Sequence, residues 1–172
     1  KLPPEERRAA EGICILAFGK LGGRELNYSS DIDLLLADQP AGSQRSDLES
    51  RVGAKLLQGL VRDLTDFTDQ GRAYRVDLRL RPYGSSGEVV NTVEQLLTYY
   101  EKSAGLWELQ ALIKLTPVAG NLEVGWGFLE KAKPILVRRI GEGGGREAVV
   151  ASIRDMRSKA VAQYESDSPD VK

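Results

Sequence analysis

Two stretches decide the fold: Ile13-Cys14-Ile15-Leu16-Ala17-Phe18, followed by Gly19-Lys20-Leu21-Gly22-Gly23, and Asp31-Ile32-Asp33-Leu34-Leu35-Leu36-Ala37. The first is an apolar run between Gly12 and Gly19, the pattern of a strand buried on both faces. The second enters as an alternation and leaves as a continuous apolar run, so a strand with one polar end is expected. The glycines between them predict a turn. Upstream, Pro3-Pro4-Glu5-Glu6 predicts a helix start, with proline in the first turn and acids behind it. Downstream, Asp38 to Ser46 is polar and holds Pro40 and Gly42, so it reads as loop.

From Asp47 the period becomes helical. Leu48, Val52, Leu56, Leu57, Leu60, Val61, Leu64 and Phe67 recur at three- and four-residue steps, with Ser46 or Asp47 as N-cap. Gly71-Arg72 closes that element. Tyr74 to Leu80 alternates strictly and Pro82 stops it, which predicts a third strand. Tyr83 to Gly87 is loop, and Asn91 or Thr92 caps a helix through Leu96, Leu97, Tyr99 and Tyr100. Trp107 to Leu115 has apolar odd positions but a helical composition, which leaves both readings open. After Asn121 the chain reads as helix, broken at Gly141–Gly145. Strand, turn, strand, helix, strand and helices, without a repeat or GxGxxG, imply an α+β fold around a small mixed β-sheet. The reading divides the chain into a core over residues 1–121 and a C-terminal helical appendage over 122–172.

Composition narrows the chemistry. The 172 residues carry 24 basic and 25 acidic side chains, one cysteine and no histidine. A net charge of −1 gives no bulk attraction to nucleic acid or an anionic membrane. One cysteine excludes an intrachain disulfide and favours a reducing cytosol, hence a cytoplasmic location. The absence of histidine excludes Ser-His-Asp and Cys-His catalysis and histidine metal ligands within these residues. The longest apolar runs fall far short of the roughly 20 residues of a membrane helix. The polar first residues and the abrupt last ones, Asp167-Ser168-Pro169-Asp170-Val171-Lys172, are expected to continue into a longer chain.

The carboxylates point to a reaction. On a strand Asp31 and Asp33 project to one face, roughly 7 Å apart, while Ile32 and Leu34 face the other way. Like charges held so close favour a bound cation, and an all-oxygen donor set selects Mg²⁺ or Mn²⁺. The bland alternative is a loop cap at Asp31 and a surface ion pair at Asp33. In Tyr74-Arg75-Val76-Asp77-Leu78-Arg79-Leu80-Arg81-Pro82 the alternation puts Asp77, Arg79 and Arg81 on one face, a third carboxylate beside two phosphate-binding guanidiniums. An edge strand with cross-strand ion pairs would give the same pattern. Gly22 and Gly23 let backbone amides approach an anion, and Ser30 offers a hydroxyl beside Asp31. This is not a Walker A loop, because no Gly-Lys-Ser/Thr follows.

Residues 19–34, Gly-Lys-Leu-Gly-Gly-Arg-Glu-Leu-Asn-Tyr-Ser-Ser-Asp-Ile-Asp-Leu, and residues 75–87, Arg-Val-Asp-Leu-Arg-Leu-Arg-Pro-Tyr-Gly-Ser-Ser-Gly, closely resemble the glutamine synthetase adenylyltransferase family. That family belongs to the DNA polymerase β-like nucleotidyltransferases. The resemblance runs on through Trp107-Glu108, Ala111-Leu112-Ile113-Lys114 and Pro117-Val118-Ala119-Gly120. It implies a polymerase β-like core in which Asp31, Asp33 and Asp77 hold Mg²⁺ or Mn²⁺. Gly22, Gly23 and Ser30 would hold phosphate oxygens, Arg79 and Arg81 the attacking phosphate or developing charge, and Lys114 would assist. The wording looks like the N-terminal of two catalytic copies, which in the family removes AMP from a tyrosine of glutamine synthetase by phosphorolysis, giving ADP. The other copy attaches AMP from ATP. Implied partners are glutamine synthetase, the rest of a parent chain and, through the full-length enzyme, a nitrogen-signalling regulatory protein; neither nucleic acid nor membrane is implied. Leu109 and Thr116 stand where the family pattern has basic residues. Two other readings fit the same residues: a polymerase β-like transferase with another acceptor, and a non-catalytic regulatory module.

Overall fold

The two apolar runs pair antiparallel as the centre of a mixed sheet in the computed structural model, which describes residues 3–28, 30–42, 45–69 and 71–167. In chain order the elements are α1 (Pro4–Ala10), β1 (Ile13–Ala17), α2 (Gly19–Gly22), β2 (Asp31–Asp38), α3 (Asp47–Thr65) and β3 (Arg75–Asp77). There follow β4 (Val90–Thr92), α4 (Val93–Lys102), α5 (Leu106–Ala111), β5 (Thr116–Gly120), α6 (Leu122–Glu142) and α7 (Gly145–Asp167). Readings that touched Lys1, Leu2, Ser29, Ser43, Gln44, Gln70 and residues 168–172 lie outside the described residues.

The sheet order is β3-β2-β1-β5. β1 runs antiparallel to β2 and β5, whereas β3 and β4 pair in parallel with β2. β3 takes residues 31–33 of β2 and β4 takes residues 36–38, so the two short strands share one edge of β2 end to end. The architecture is thus the expected α+β fold with a small mixed sheet.

The alternation of β2 sets its two faces. Leu35 and Ala37, with Cys14 and Leu16, pack against Leu96, Tyr100, Leu109 and Phe128 from α4, α5 and α6. Ile32, Leu34 and Leu36 face α3, meeting Leu57, Leu60 and Leu64 in two smaller clusters. Each fully buried Leu or Phe contributes roughly 1.5–3 kcal/mol, so these contacts fix which way β2 turns. Gly125 lets α6 lie on the sheet: a Cβ there would stand 2.6 Å from both Cys14 Sγ and Pro117. Burial pushes the Cys14 thiol up to about 11, so it is a packing residue and not a nucleophile.

Ser46, not Asp47, caps α3. Its hydroxyl accepts from Glu49 N at 3.2 Å, and the Glu49 carboxylate accepts from Ser46 N at 2.6 Å. Thr92 and Gln95 form the same reciprocal pair at the start of α4, while Asn91 lies within β4. Residues 107–115 resolve as α5 followed by a 3-10 turn over Leu112–Lys114. The break before α7 falls where the glycines predicted it, with Gly144 and Gly145 at positive φ.

Four expectations need correction. The turn at 19–23 is the one-turn helix α2, entered through Gly19 at φ 56°. Phe67 lies beyond α3, 77% exposed, with the Arg72 guanidinium over its ring. The strand expected over Tyr74–Leu80 is only Arg75–Asp77. There the Asp77 carboxylate accepts from Arg79 N at 2.8 Å, and this side-chain turn bends the backbone away from the ladder. Arg81 consequently leaves the Asp77 face. Strands β4 and β5 have no counterpart in the periodicity, being three residues long and proline-containing respectively.

Candidate active site

The polar entrance of β2 continues the face that Leu35 and Ala37 bury deeper in the molecule. Ile32 anchors the other side at 4% exposure, so Asp31 and Asp33 are held outward by core packing. Parallel pairing sets Arg75 beside Asp31 and Asp77 beside Asp33. Three carboxylates therefore meet on one sheet face, at the mouth of a cleft of about 570 Å³. Its wall is Gly19, Lys20, Asn27, Tyr28, Ser30, Asp31, Asp33, Arg75, Asp77 and Arg79.

Charge in the cleft is paired unevenly. The Arg75 guanidinium donates to Asp31. Arg79 forks onto Asp77, with Nε to Oδ2 at 2.8 Å and Nη2 to Oδ2 at 2.5 Å. These bonds, above all from the Arg79 side chain, hold the Asp77 carboxyl below the usual carboxylate range. Asp33 has no such partner: burial first, then the charges of Asp77 and Asp31, push its carboxyl up, with Arg79 opposing. Gly19 keeps this corner open, because a Cβ there would stand 3.3 Å from Asp33 Oδ2.

The loop before β2 forms the second wall. Lys20 Nζ donates to Asn27 Oδ1 at 3.1 Å and to Ser30 Oγ at 3.4 Å, and Ser30 Oγ also bonds Asn27 Oδ1. Lys20 is the cleft cation whose hydrogen bonds go to neutral groups, whereas Arg75 and Arg79 bond carboxylates. Its charge thus stands open to an incoming anion.

An all-oxygen donor set with a raised, like-charged carboxylate at its centre suits a hard divalent cation. Among the described residues, however, no three acidic side chains close into a ready-made metal cage. The arginines explain this, since Arg75 and Arg79 hold two of the three carboxylates. Cation binding would require Arg79, 80% exposed along its side chain, to swing off Asp77.

Of the residues singled out in the sequence, the structure brings together Ser30, Asp31, Asp33, Asp77 and Arg79. Gly22, Gly23, Arg81 and Lys114 stand outside the cleft wall. Gly22 is a packing glycine: a Cβ there would lie 2.1 Å from Lys114 O and 2.2 Å from Ala17 O. A Cβ on Gly23 would press on the Lys114 stem and Gly19 O. Arg81 donates to the carbonyls of Leu78, Ser85 and Gly87, and Lys114 pairs with Glu25 at 2.6 Å. Sequence reasoning missed Gly19, Lys20, Asn27, Tyr28 and Arg75 as wall residues. Arg75 was accessible from its two-residue spacing to Asp77; the loop residues were not.

Residues 2–131 match the family model described as "Glutamate-ammonia ligase adenylyltransferase". The chain belongs to that family. A curated relative from Cutibacterium acnes, a "Bifunctional glutamine synthetase adenylyltransferase/adenylyl-removing enzyme", is 38% identical over 87% of this chain and 15% of its own length. Relatives with the same description from Thioalkalivibrio sulfidiphilus and Xanthobacter autotrophicus are 38% and 44% identical, over 92% and 74% of this chain and 16% and 13% of their own lengths. The chain thus spans about one sixth or less of the curated adenylyltransferases it matches. The family match takes in the whole cleft wall and ends within α6. Among the described residues of this family member, no helix is long and apolar enough to cross a membrane.

Proposed function

We propose that this chain is a nucleotidyltransferase unit that moves AMP on or off a tyrosine of glutamine synthetase. In the N-terminal-copy reading it works by phosphorolytic deadenylylation, giving ADP. The observation that carries the reading is the meeting of Asp31, Asp33 and Asp77 on the β2–β3 face, in a cleft that also presents Lys20, Arg75 and Arg79.

Asp31, Asp33 and Asp77 would hold Mg²⁺ or Mn²⁺, which when bound supplies positive charge to the attacking and leaving oxygens of an in-line displacement. Lys20 and Ser30 form the wall best placed for phosphate oxygens, and Arg79 the guanidinium best placed to receive the attacking phosphate. A phosphate oxygen attacks the AMP phosphorus, the phosphorus–tyrosyl oxygen bond breaks, and ADP leaves. The departing tyrosinate takes a proton to regenerate tyrosine, whose ordinary pKa of about 10 makes it a poor leaving group without positive charge nearby. Gly22 and Gly23 serve the packing of α2, Arg81 ties the loop after β3 and Lys114 pairs with Glu25, all outside the cleft wall.

In this reading residues 1–121 carry the chemistry and residues 122–172 form a helical extension within a longer cytoplasmic enzyme. Glutamine synthetase is the protein substrate, and a nitrogen-signalling regulator acts through the full-length enzyme. The test is phosphate-dependent ADP release from tyrosine-adenylylated glutamine synthetase with Mg²⁺ or Mn²⁺. Release that needs phosphate supports phosphorolysis, and metal binding without turnover on either adenylylated or unmodified glutamine synthetase contradicts the proposed reaction.

A further inference from the structure

β2 starts at the aspartate cluster and ends at Asp38, roughly 23 Å away for an extended strand. A second cleft, of about 660 Å³, opens at that far end, and its lining includes Asp38, Arg45, Thr92, Glu94 and Lys131. Asp38 is 1% exposed, and neither of its carboxylate oxygens has a hydrogen-bond partner. Its backbone cannot shift to relieve this, being paired to Ile13 on one side and Thr92 on the other. Gly12 closes in behind: a Cβ there would stand 3.0 Å from Asp38 Oδ1. Arg45 is near enough to favour the charge but commits its guanidinium elsewhere, to Val90 O at 2.7 Å and Glu88 at 2.8 Å. Burial pushes the Asp38 carboxyl up, with Arg45 opposing and Glu49 adding to the rise. A buried carboxylate without donors is costly to a fold, and a natural structure that keeps one needs a reason.

We propose that Asp38 anchors a second binding site, separate from the catalytic cleft, that takes the alkyl-ammonium or guanidinium head of a ligand. Such a head supplies both charge and N–H donors to the two buried, unpartnered oxygens. A hydroxyl would bring a donor without the charge. A bare metal ion would need further acidic ligands, and besides Asp38 the lining of this cleft offers Glu94 alone. The cleft volume is that of a small-molecule site. The same head can belong to a free amine or to a lysine or arginine side chain of another protein.

The test uses the 172-residue chain with n-butylammonium, n-butylguanidinium and, as a neutral control, n-butanol, read by thermal unfolding and calorimetry. The expected result is a saturable Tm rise of about 2 °C or more with at least one cation and none with butanol. It should vanish in Asp38→Asn and persist in Asp31→Asn, which reports on the catalytic cleft. Should Asp38→Asn fail to fold, the exposed Lys131→Glu decides, and is expected to bind the cation several-fold more tightly. No saturable response in the wild type, an undiminished one in Asp38→Asn, or unchanged affinity in Lys131→Glu overturns the proposal. A capped Gly-Arg-Gly peptide binding as well as butylguanidinium assigns the head to a protein side chain, and binding tenfold weaker assigns it to a free molecule.

Discussion

Asp33 and Asp77 stand opposite one another on parallel strands, at the last step of a three-residue register that also pairs Ile32 with Val76. Both project from the same sheet face, with Asp31 two residues back on it. Asp77 has a guanidinium fork, whereas Asp33 bonds no cation and feels the charges of Asp77 and Asp31, with Arg79 opposing from a distance.

Asp33→Asn is therefore expected to abolish turnover while leaving the metal-free fold as stable or more stable. The raised carboxyl of folded Asp33 sets the sign. Its stabilising contribution is fully present below the ordinary carboxylate range and is lost as pH rises through the raised value, so at neutral pH ionised Asp33 is a cost. Thermal unfolding of both proteins across pH checks this: any advantage of the variant should fade below about pH 4. Near-normal turnover by Asp33→Asn would sink the assignment of the aspartate face.

Arg79 makes a separate prediction. In Arg79→Ala, Asp77 loses the partner that holds its carboxyl low and is left free for a cation. Mn²⁺ should bind several-fold more tightly, measured by electron paramagnetic resonance titration, while the KM for phosphate rises. Unchanged Mn²⁺ affinity would mean that Arg79 does not compete for Asp77. Tm should hardly move, because the guanidinium is exposed.

How much of this was legible in the sequence depended on the range of the forces involved. The apolar runs of β1 and β2 and the three- and four-residue steps of α3 record burial directly, and these elements were read nearly to their ends. Asp31, Asp33 and Asp77 were legible because period-two projection needs only local geometry. The parallel register that brings Asp77 to Asp33 is a tertiary fact. β4 and β5 stayed hidden, since three residues carry no period and Pro117 argues against a strand until its place on an edge is known. Alternation over Tyr74–Leu80 also overstated β3, because the Asp77–Arg79 turn competes with the ladder. The same misreading placed Arg81 in the cleft. Gly22 misled for a related reason: close approach of backbone to backbone and of backbone to phosphate both demand glycine.

Gly22→Ala separates those two uses. The added methyl would meet two carbonyl oxygens, Lys114 O and Ala17 O, belonging to backbone on both sides of α2. Neither can yield as a side chain does, so a loss of roughly 1–3 kcal/mol is expected in urea unfolding. A phosphate-contact glycine would show the opposite pattern, a raised KM for phosphate at unchanged stability.

Arg81→Ala gives the matching test for the loop after β3. Half-buried Arg81 donates Nη1 to Leu78 O at 2.8 Å, Nη2 to Ser85 O at 3.0 Å and Nε to Gly87 O at 3.1 Å. One guanidinium thereby ties three carbonyls of a segment whose only regular structure is the single 3-10 turn Gly84–Ser86. Removing it should cost about 1–3 kcal/mol of stability, since hydrogen bonds from a charged donor are worth more than neutral ones. Hydrogen exchange of the amides of residues 78–87 should accelerate ahead of global unfolding, as expected for a locally released loop. Arg79→Ala supplies the contrast, with altered metal and phosphate binding and an unchanged exchange pattern at Ser85 and Gly87. An Arg81→Ala protein with normal exchange in this loop and a raised KM for phosphate would return Arg81 to the substrate wall.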